Sequence, residues 1–205
     1  MTDLSELAGA LPDGAVLTDP DLTEGYRRDW AKDPNAGIPL AVVRARNTAD
    51  VQTVMRWASS HGISVVPRGA GSGLSGGATA VDGGIVLSTE LMREITVDPV
   101  TRIAVTGPGL LNAEVKKAAA EHGLWYPPDP SSFEMCSIGG NAATNAGGLC
   151  CVKYGVTTDY VLGLVVVLAD GTRDEAEDAL LRMVAPMLGI SDVDSAMARQ
   201  RVTRE

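Results

Sequence analysis

The stretch PRGAGSGLSGG, from Pro67 to Gly77, is the part of this chain whose composition most directly suggests chemistry. Five of its eleven residues are glycine, and it follows the apolar run Ile63–Val66. Without side chains, a backbone can approach a ligand closely and turn successive N–H groups toward an anion. Gly71, Gly73 and Gly76 also match G-x-G-x-x-G. That pattern marks a dinucleotide fold only when a helix follows at once, because the helix N-terminus holds the pyrophosphate. Here ATAVDGG follows, and then another apolar strand-like run. No Gly-Lys-Ser/Thr follows either, so a Walker loop is excluded. What remains is a strand, a glycine loop and a strand, with a glycine-rich surface turn as the bland alternative.

A second candidate region is SIGGNAATNAGG, Ser137 to Gly148. Ser137, Asn141, Thr144 and Asn145 are short polar groups among small residues, suited to a flat heterocycle and its phosphates. The plain alternative is a closely packed helix start. His61 and His122 each precede a glycine at the end of a helical pattern, where a histidine suits the negative end of the dipole. We therefore read both as cap residues, not catalysts. Cys136, Cys150 and Cys151 lack metal-ligand spacing and read as buried thiols of a reduced cytosolic chain, in preference to a strained redox pair at adjacent Cys150 and Cys151. No Ser-His-Asp set, zinc spacing or carboxylate dyad is evident, so the catalytic residues are unassigned and no metal is expected.

The elements that must position these residues follow from periodicity. Leu40–Ala45 reads as a strand. Thr48 reads as the N-cap of a helix through Ser60, with Val51, Val54, Met55 and Ala58 on one face. The pattern helix, His-Gly, short strand, proline and loop then recurs: once through ISVV to Pro67, and once through helix Leu111–Glu121 and LWY to Pro127. Two such units could deliver their loops to one side of a sheet. Between them lie IVLS, EITV and TRIAVTG, the last two joined by the turn signal DPVT as a hairpin. Tyr160–Ala169 reads as a buried central strand, too short to span a bilayer. Mixed strands and helices in this order predict an α+β fold. Residues 1–38 read as a helical lead and an arm, with Tyr26–Trp30 packed on the main body. Asp174–Ala185 reads as an amphipathic helix that Pro186 ends or kinks.

Acids outnumber bases by 26 to 17, for a formal net charge of -9. That disfavours nucleic acid or an anionic membrane surface as partner, but not a small anion held by backbone amides. The first residues carry no basic and apolar leader pattern, and the expected location is cytoplasmic.

The segment PLAVVRARNTADVQTVMRWASSHGISVVPRGAGSGLSGG resembles the start of the PCMH-type FAD-binding domain of vanillyl-alcohol-oxidase-type flavoproteins. VTGPGLLNAEV, WYPPDPSS and CSIGGNAATNAGGLCCVKYGVTTDYVLGLVVVLADGT continue the resemblance in order. Within that family the chain is most similar to FAD-linked 2-hydroxy-acid dehydrogenases, such as D-lactate dehydrogenase and the glycolate oxidase D subunit. The resemblance covers about Pro39 to Thr172. It implies an α+β domain of two α/β subdomains, incomplete at its C-terminus, with a 1–38 arm, a 39–172 FAD domain and a divergent 173–205 tail.

The resemblance further implies that Pro67, Arg68, Gly69, Ala70, Gly71, Ser72 and Gly73 bind the FAD pyrophosphate. Some members attach the flavin through a histidine in this loop; Ser72 stands at that position, which implies non-covalent FAD. The second contact region maps onto Pro128, Asp129, Pro130, Ser137, Ile138, Gly139, Gly140 and Asn141. The third maps onto Thr144, Asn145, Ala146, Gly147, Gly148, Tyr154, Gly155 and Val161. The implied reaction is hydride transfer from a 2-hydroxy acid to flavin. The family pattern stops at Thr172, before the usual substrate domain. The alternative expectation is therefore a non-catalytic FAD-binding remnant, or a subunit needing a partner chain for the substrate half.

Overall fold

The computed structural model describes residues 3–171. Its centre is a four-stranded sheet of order β1-β2-β4-β3, formed by β1 (Val16–Leu17), β2 (Ala41–Arg44), β3 (Val65–Arg68) and β4 (Ile85–Ser88). β4 pairs in parallel with both β2 and β3, while β1 runs antiparallel to β2. Strands covered on both faces should be apolar throughout rather than alternating. Accordingly Ala41, Val42, Val43, Ile85, Val86 and Leu87 are all buried.

The two faces divide by the period of two. Ala41, Val43, Ile85 and Leu87 pack with Val54, Trp57 and Ala58 of α3 (Thr48–His61). Val42 and Val86 pack on the other face with Ala80, and with partly buried Leu17 and Tyr26. Full burial of each Val or Ile stabilises by roughly 1.5–3 kcal/mol. Leu7 of α1 (Ser5–Gly9), with Leu11 and Ala15, joins the α3 side of the core.

Helix α3 is capped one residue earlier than its sequence suggests. Asn47 is the N-cap, its Oδ1 accepting from the Asp50 N–H at 2.9 Å. At the other end Gly62 adopts the left-handed conformation, and Ile63 N–H returns to Ala58 O at 2.9 Å. His61 lies in the last turn, stacked on Trp57, with Nδ1 2.8 Å from Trp57 O. The cap reading of this histidine fits that placement. The following strand lies two residues later than ISVV, because register with Ile85–Ser88 selects Val65–Arg68. Pro67 sits there without conflict, since β3 is an edge strand and needs no N–H on its outer side.

No helix separates β3 from β4; residues 69–84 form a loop between adjacent parallel strands. The hairpin is present as β5 (Ile95–Asp98) and β6 (Ile103–Thr106). Three further helices follow: α4 (Asn112–Ala120), α5 (Ile138–Thr144) and the short α6 (Cys151–Tyr154). A short helix α2 (Pro20–Thr23) and a 3-10 turn at Glu24–Tyr26 shape the arm.

Two strand expectations fail. Leu124–Tyr126 is irregular, and so is most of Tyr160–Ala169, which begins in a 3-10 turn at Thr157–Tyr160. A strand needs a neighbour to satisfy its N–H and C=O groups. Among the described residues no β-bridge reaches either segment, and Leu164 and Val165 are exposed. The helix expected over Asp174–Ala185 lies outside the described residues.

Candidate functional site

The site is built where three loops meet the start of α5. The glycine loop leaves β3 at Arg68, whose carbonyl accepts from the Thr89 N–H at 3.0 Å. Gly71 has φ +70° and Gly76 φ +76°, values that favour glycine. Ser137 is the N-cap of α5, its Oγ accepting from the Gly140 N–H at 3.3 Å. The same Oγ accepts from the Ala70 N–H at 3.2 Å. A Cβ built on Gly69 would lie 2.3 Å from that oxygen, so the loop can cross here only as glycine. The next amides, of Gly71, Ser72 and Gly73, have no acceptor among the described residues.

The VTGPGL segment supports α5 from the other side. Pro108 O accepts from the Gly139 N–H at 2.8 Å, and Leu110 O from the Ile138 N–H at 2.8 Å. Asn112 is fully buried at the start of α4 and donates through Nδ2 to Pro128 O at 3.3 Å. That bond ties the Pro128–Asp129 region to the same framework. Asp129 bridges to Gly148, its N–H donating to Gly147 O at 3.1 Å. A Cβ at Gly148 would fall on Asp129 O, and Gly148 has φ +123°. The Asp129 carboxylate is committed to Lys116 at 2.6 Å.

Beyond α5, Asn145 closes the helix in the left-handed conformation. Its Oδ1 accepts from the Thr158 N–H at 3.0 Å and from the Thr158 hydroxyl at 2.5 Å. Asn145 is thus a structural clasp as well as a site candidate. Thr144 donates back to Gly140 O at 2.9 Å. Tyr154 ends α6, edge-on to Trp125, and its carbonyl accepts from the Tyr160 hydroxyl. Gly155 follows with φ +86°, where a Cβ would meet Asp159 Oδ2 at 2.2 Å. Val161 lies just past the 3-10 turn and is half-buried.

The sequence-derived residues therefore fall into two groups joined by α5. Gly69, Ala70, Ser137 and Gly140 meet at one hydroxyl. Asp129, Gly147 and Gly148 meet at a bridge, flanked by the Asn145–Thr158 clasp. Asn141 is buried between the two groups with Nδ2 unpaired, an orphaned donor at the heart of the site. Arg68, expected in the pyrophosphate loop, engages the N-terminal arm through its side chain. Its side chain is buried, and Nη1 and Nη2 donate to Arg28 O at 3.0 Å and Gly25 O at 3.3 Å. Burial pushes its pKa down, while Asp29, Tyr26 and Glu90 push it up. Asp29 beneath the loop was not among the sequence candidates, and a lone acid in a polar arm gives no signal for it.

The arrangement fits an FAD pyrophosphate. It offers a glycine cradle with unclaimed amides, a capped helix start beside it and a buried free donor at Asn141. A Cβ at Gly69 would meet Ser137 Oγ at 2.3 Å, and Gly71 is held at φ +70°, a conformation side chains rarely adopt. Among the described residues no helix is long and apolar enough to cross a membrane.

Residues 39–176 match the family described as FAD binding domain. A shorter match, to tellurite resistance protein TerB, falls on residues 159–200 and overlaps the first. The chain is 38% identical over 186 residues to D-2-hydroxyglutarate dehydrogenase of Stutzerimonas stutzeri, covering 89% of this chain and 40% of that protein. It is 45% identical over 138 residues to D-lactate dehydrogenase of Archaeoglobus fulgidus, covering 67% and 31%. The chain thus spans less than half the length of these curated relatives. Among solved structures, 6-hydroxy-D-nicotine oxidase of Arthrobacter nicotinovorans superposes with a TM-score of 0.70 at 27% identity, over 83% of this chain and 36% of that one. With well over half its residues inside the family match, the chain belongs to the PCMH-type FAD-binding domains and is related to dehydrogenases of 2-hydroxy acids.

Proposed function

We propose that this chain is the FAD-holding part of an oxidoreductase that oxidises a small 2-hydroxy acid, with the flavin bound non-covalently. The observation that carries the reading is the meeting of the glycine loop and the α5 start on Ser137 Oγ. It leaves the amides of Gly71, Ser72 and Gly73 without acceptors among the described residues, available to phosphate oxygens. Bound FAD supplies the two-electron sink. The chain's own residues supply the rest: loop amides neutralise the pyrophosphate, Asn141 Nδ2 donates into the site, and the Asp129–Gly148 bridge holds one wall. The relatives act on D-2-hydroxyglutarate and D-lactate by name, which supports the substrate class. A partner chain carrying substrate-binding groups is part of this proposal. Titrating the apo chain with FAD tests it, with saturable flavin fluorescence quenching expected at one FAD per chain. Absence of saturable binding to a folded chain would end this reading.

A further inference from the structure

We propose that Arg68 and Asp29 form a pin beneath the glycine loop, fastening it to the N-terminal arm and setting its shape for the pyrophosphate without touching it. The idea rests on the FAD reading above for its consequence, but not for its structural test.

The geometry begins with where the Arg68 guanidinium goes. It turns toward the arm, with Nη1 3.0 Å from Arg28 O and 3.5 Å from Ala78 O, and Nη2 3.3 Å from Gly25 O. One side chain therefore joins the arm at residues 25 and 28 to the far limb of the loop at residue 78. The guanidinium also fills the space below Gly71, where a Cβ would lie 2.2 Å from Nη2. Its carbon sits 5.7 Å from the Tyr26 ring centroid. The arm is held in turn by Tyr26, whose hydroxyl donates to Glu90 Oε1 at 2.7 Å, and Glu90 pairs with Arg44 at 2.6 Å.

Asp29 completes the underside. It is only 4% exposed. Its Oδ1 accepts from the Ala31 N–H at 2.9 Å, while Oδ2 is buried without a partner. That oxygen is 3.6 Å from where a Gly73 Cβ would stand. An unpartnered buried carboxylate is costly unless an opposite charge faces it. Arg68 is the opposite charge beside it: its guanidinium bonds the carbonyl of the preceding residue, Arg28, and lies against Gly71 while Asp29 lies against Gly73, although no ion pair within 4.0 Å joins the two side chains. Two opposite charges from segments about forty residues apart thus lie under Gly71 and Gly73, the two positions where the loop must stay open for an anion.

A different role is conceivable for Arg68, that of a direct phosphate ligand. The two roles differ in sign at Asp29. If Arg68 touched the anion, removing the nearby negative charge would tighten FAD binding. If Arg68 is a pin balanced by Asp29, the same change loosens the loop and weakens binding.

The experiment compares wild type, Asp29→Asn, Arg68→Lys, Arg68→Met and the Asp29→Asn/Arg68→Met double variant. Amide hydrogen exchange is measured on the FAD-free chain at Ala70 and Ala80, whose N–H groups bond to Ser137 Oγ and Arg27 O. Val115 in α4 serves as the control. The pin gives roughly tenfold faster exchange at Ala70 and Ala80 in each single variant, as for loss of a charged hydrogen-bonding partner. The double variant exchanges no faster than the faster single one, and Val115 is unchanged. FAD affinity falls in Asp29→Asn. Wild-type exchange in Asp29→Asn overturns the pin, as does tighter or unchanged FAD binding in that variant. If Arg68→Met fails to fold, Asp29→Asn and Arg68→Lys decide the matter alone. If the wild-type chain binds no FAD, the functional proposal falls, while the exchange data still judge the pin.

Discussion

Ser137 Oγ and the Ala70 N–H lie 3.2 Å apart although 67 residues separate them in sequence. One hydroxyl both starts α5 and docks the glycine loop on it. Ser137→Ala removes an N-cap, at a cost of about 1 kcal/mol, and frees the loop at the same stroke. We expect a lower urea midpoint together with weaker FAD binding. Full FAD affinity in a destabilised Ser137→Ala chain would separate the loop from the cap and defeat the account of the site.

Gly71→Val tests the cradle more directly. A branched side chain is strained at φ +70°, and its Cβ would enter the volume of the Arg68 guanidinium. The substitution should abolish FAD retention and leave the circular dichroism of a folded chain. Ser75→Ala, at an exposed position in the same loop, should bind as wild type does. Equal flavin stoichiometry in Gly71→Val and wild type would remove the loop from the site.

Part of this arrangement is legible in the sequence, for physical reasons. Ile85–Leu87 is a continuous apolar run, readable as a buried segment, and its parallel pairing with two neighbours appears only in the structure. The absence of a helix after Gly77 was readable because ATAVDGG has no amphipathic period. Tyr160–Ala169 was misread because an apolar run reports burial potential, not a neighbour to pair with. The side-chain partners of Arg68 are not readable from sequence for a related reason. Its partners are carbonyls at Gly25 and Arg28, and backbone acceptors leave no trace in residue type.

Ser72 bears on how the flavin is held. Some members of the resembled family attach the flavin through a histidine at this place, and a serine hydroxyl cannot form that link. Acid precipitation of the FAD-loaded chain should release all flavin to the supernatant. Yellow colour kept by a washed pellet would contradict non-covalent binding.

Tyr26 sets an alkaline limit on the arm. Burial and its bond to Glu90 push its pKa up from 10.0 to about 12. The folded state thus keeps a proton that the unfolded state loses first, so stability falls as pH rises through this window. The contribution is fully present below pH 10 and is lost by about pH 12. Urea midpoints measured across this range should fall less steeply for Tyr26→Phe than for wild type. Parallel curves would show that Tyr26 carries no such linkage.

The last expectation is that these 205 residues alone will not oxidise D-lactate, glycolate or 2-hydroxyglutarate at a useful rate. Hydride transfer needs the substrate carbon close to the flavin, a cation for the carboxylate and a base for the hydroxyl. Among the described residues, four cations are already engaged: Arg68 with arm carbonyls, Lys116 with Asp129, Arg93 with Glu114 and Arg44 with Glu90, while Lys153 lies exposed over the Tyr154 ring. His61 is held in the last turn of α3 against Trp57, and His122 follows α4 on the surface. Asp129, the acid in the second contact region, is neutralised by its ion pair. Under the proposed function, the carboxylate clamp and the base come from groups other than these. Anaerobic mixing of the FAD-loaded chain with each acid, followed at the flavin absorbance, should show no rapid bleaching. Rapid bleaching by one acid and not the others would prove that a complete substrate site exists within this chain, built from groups other than those described.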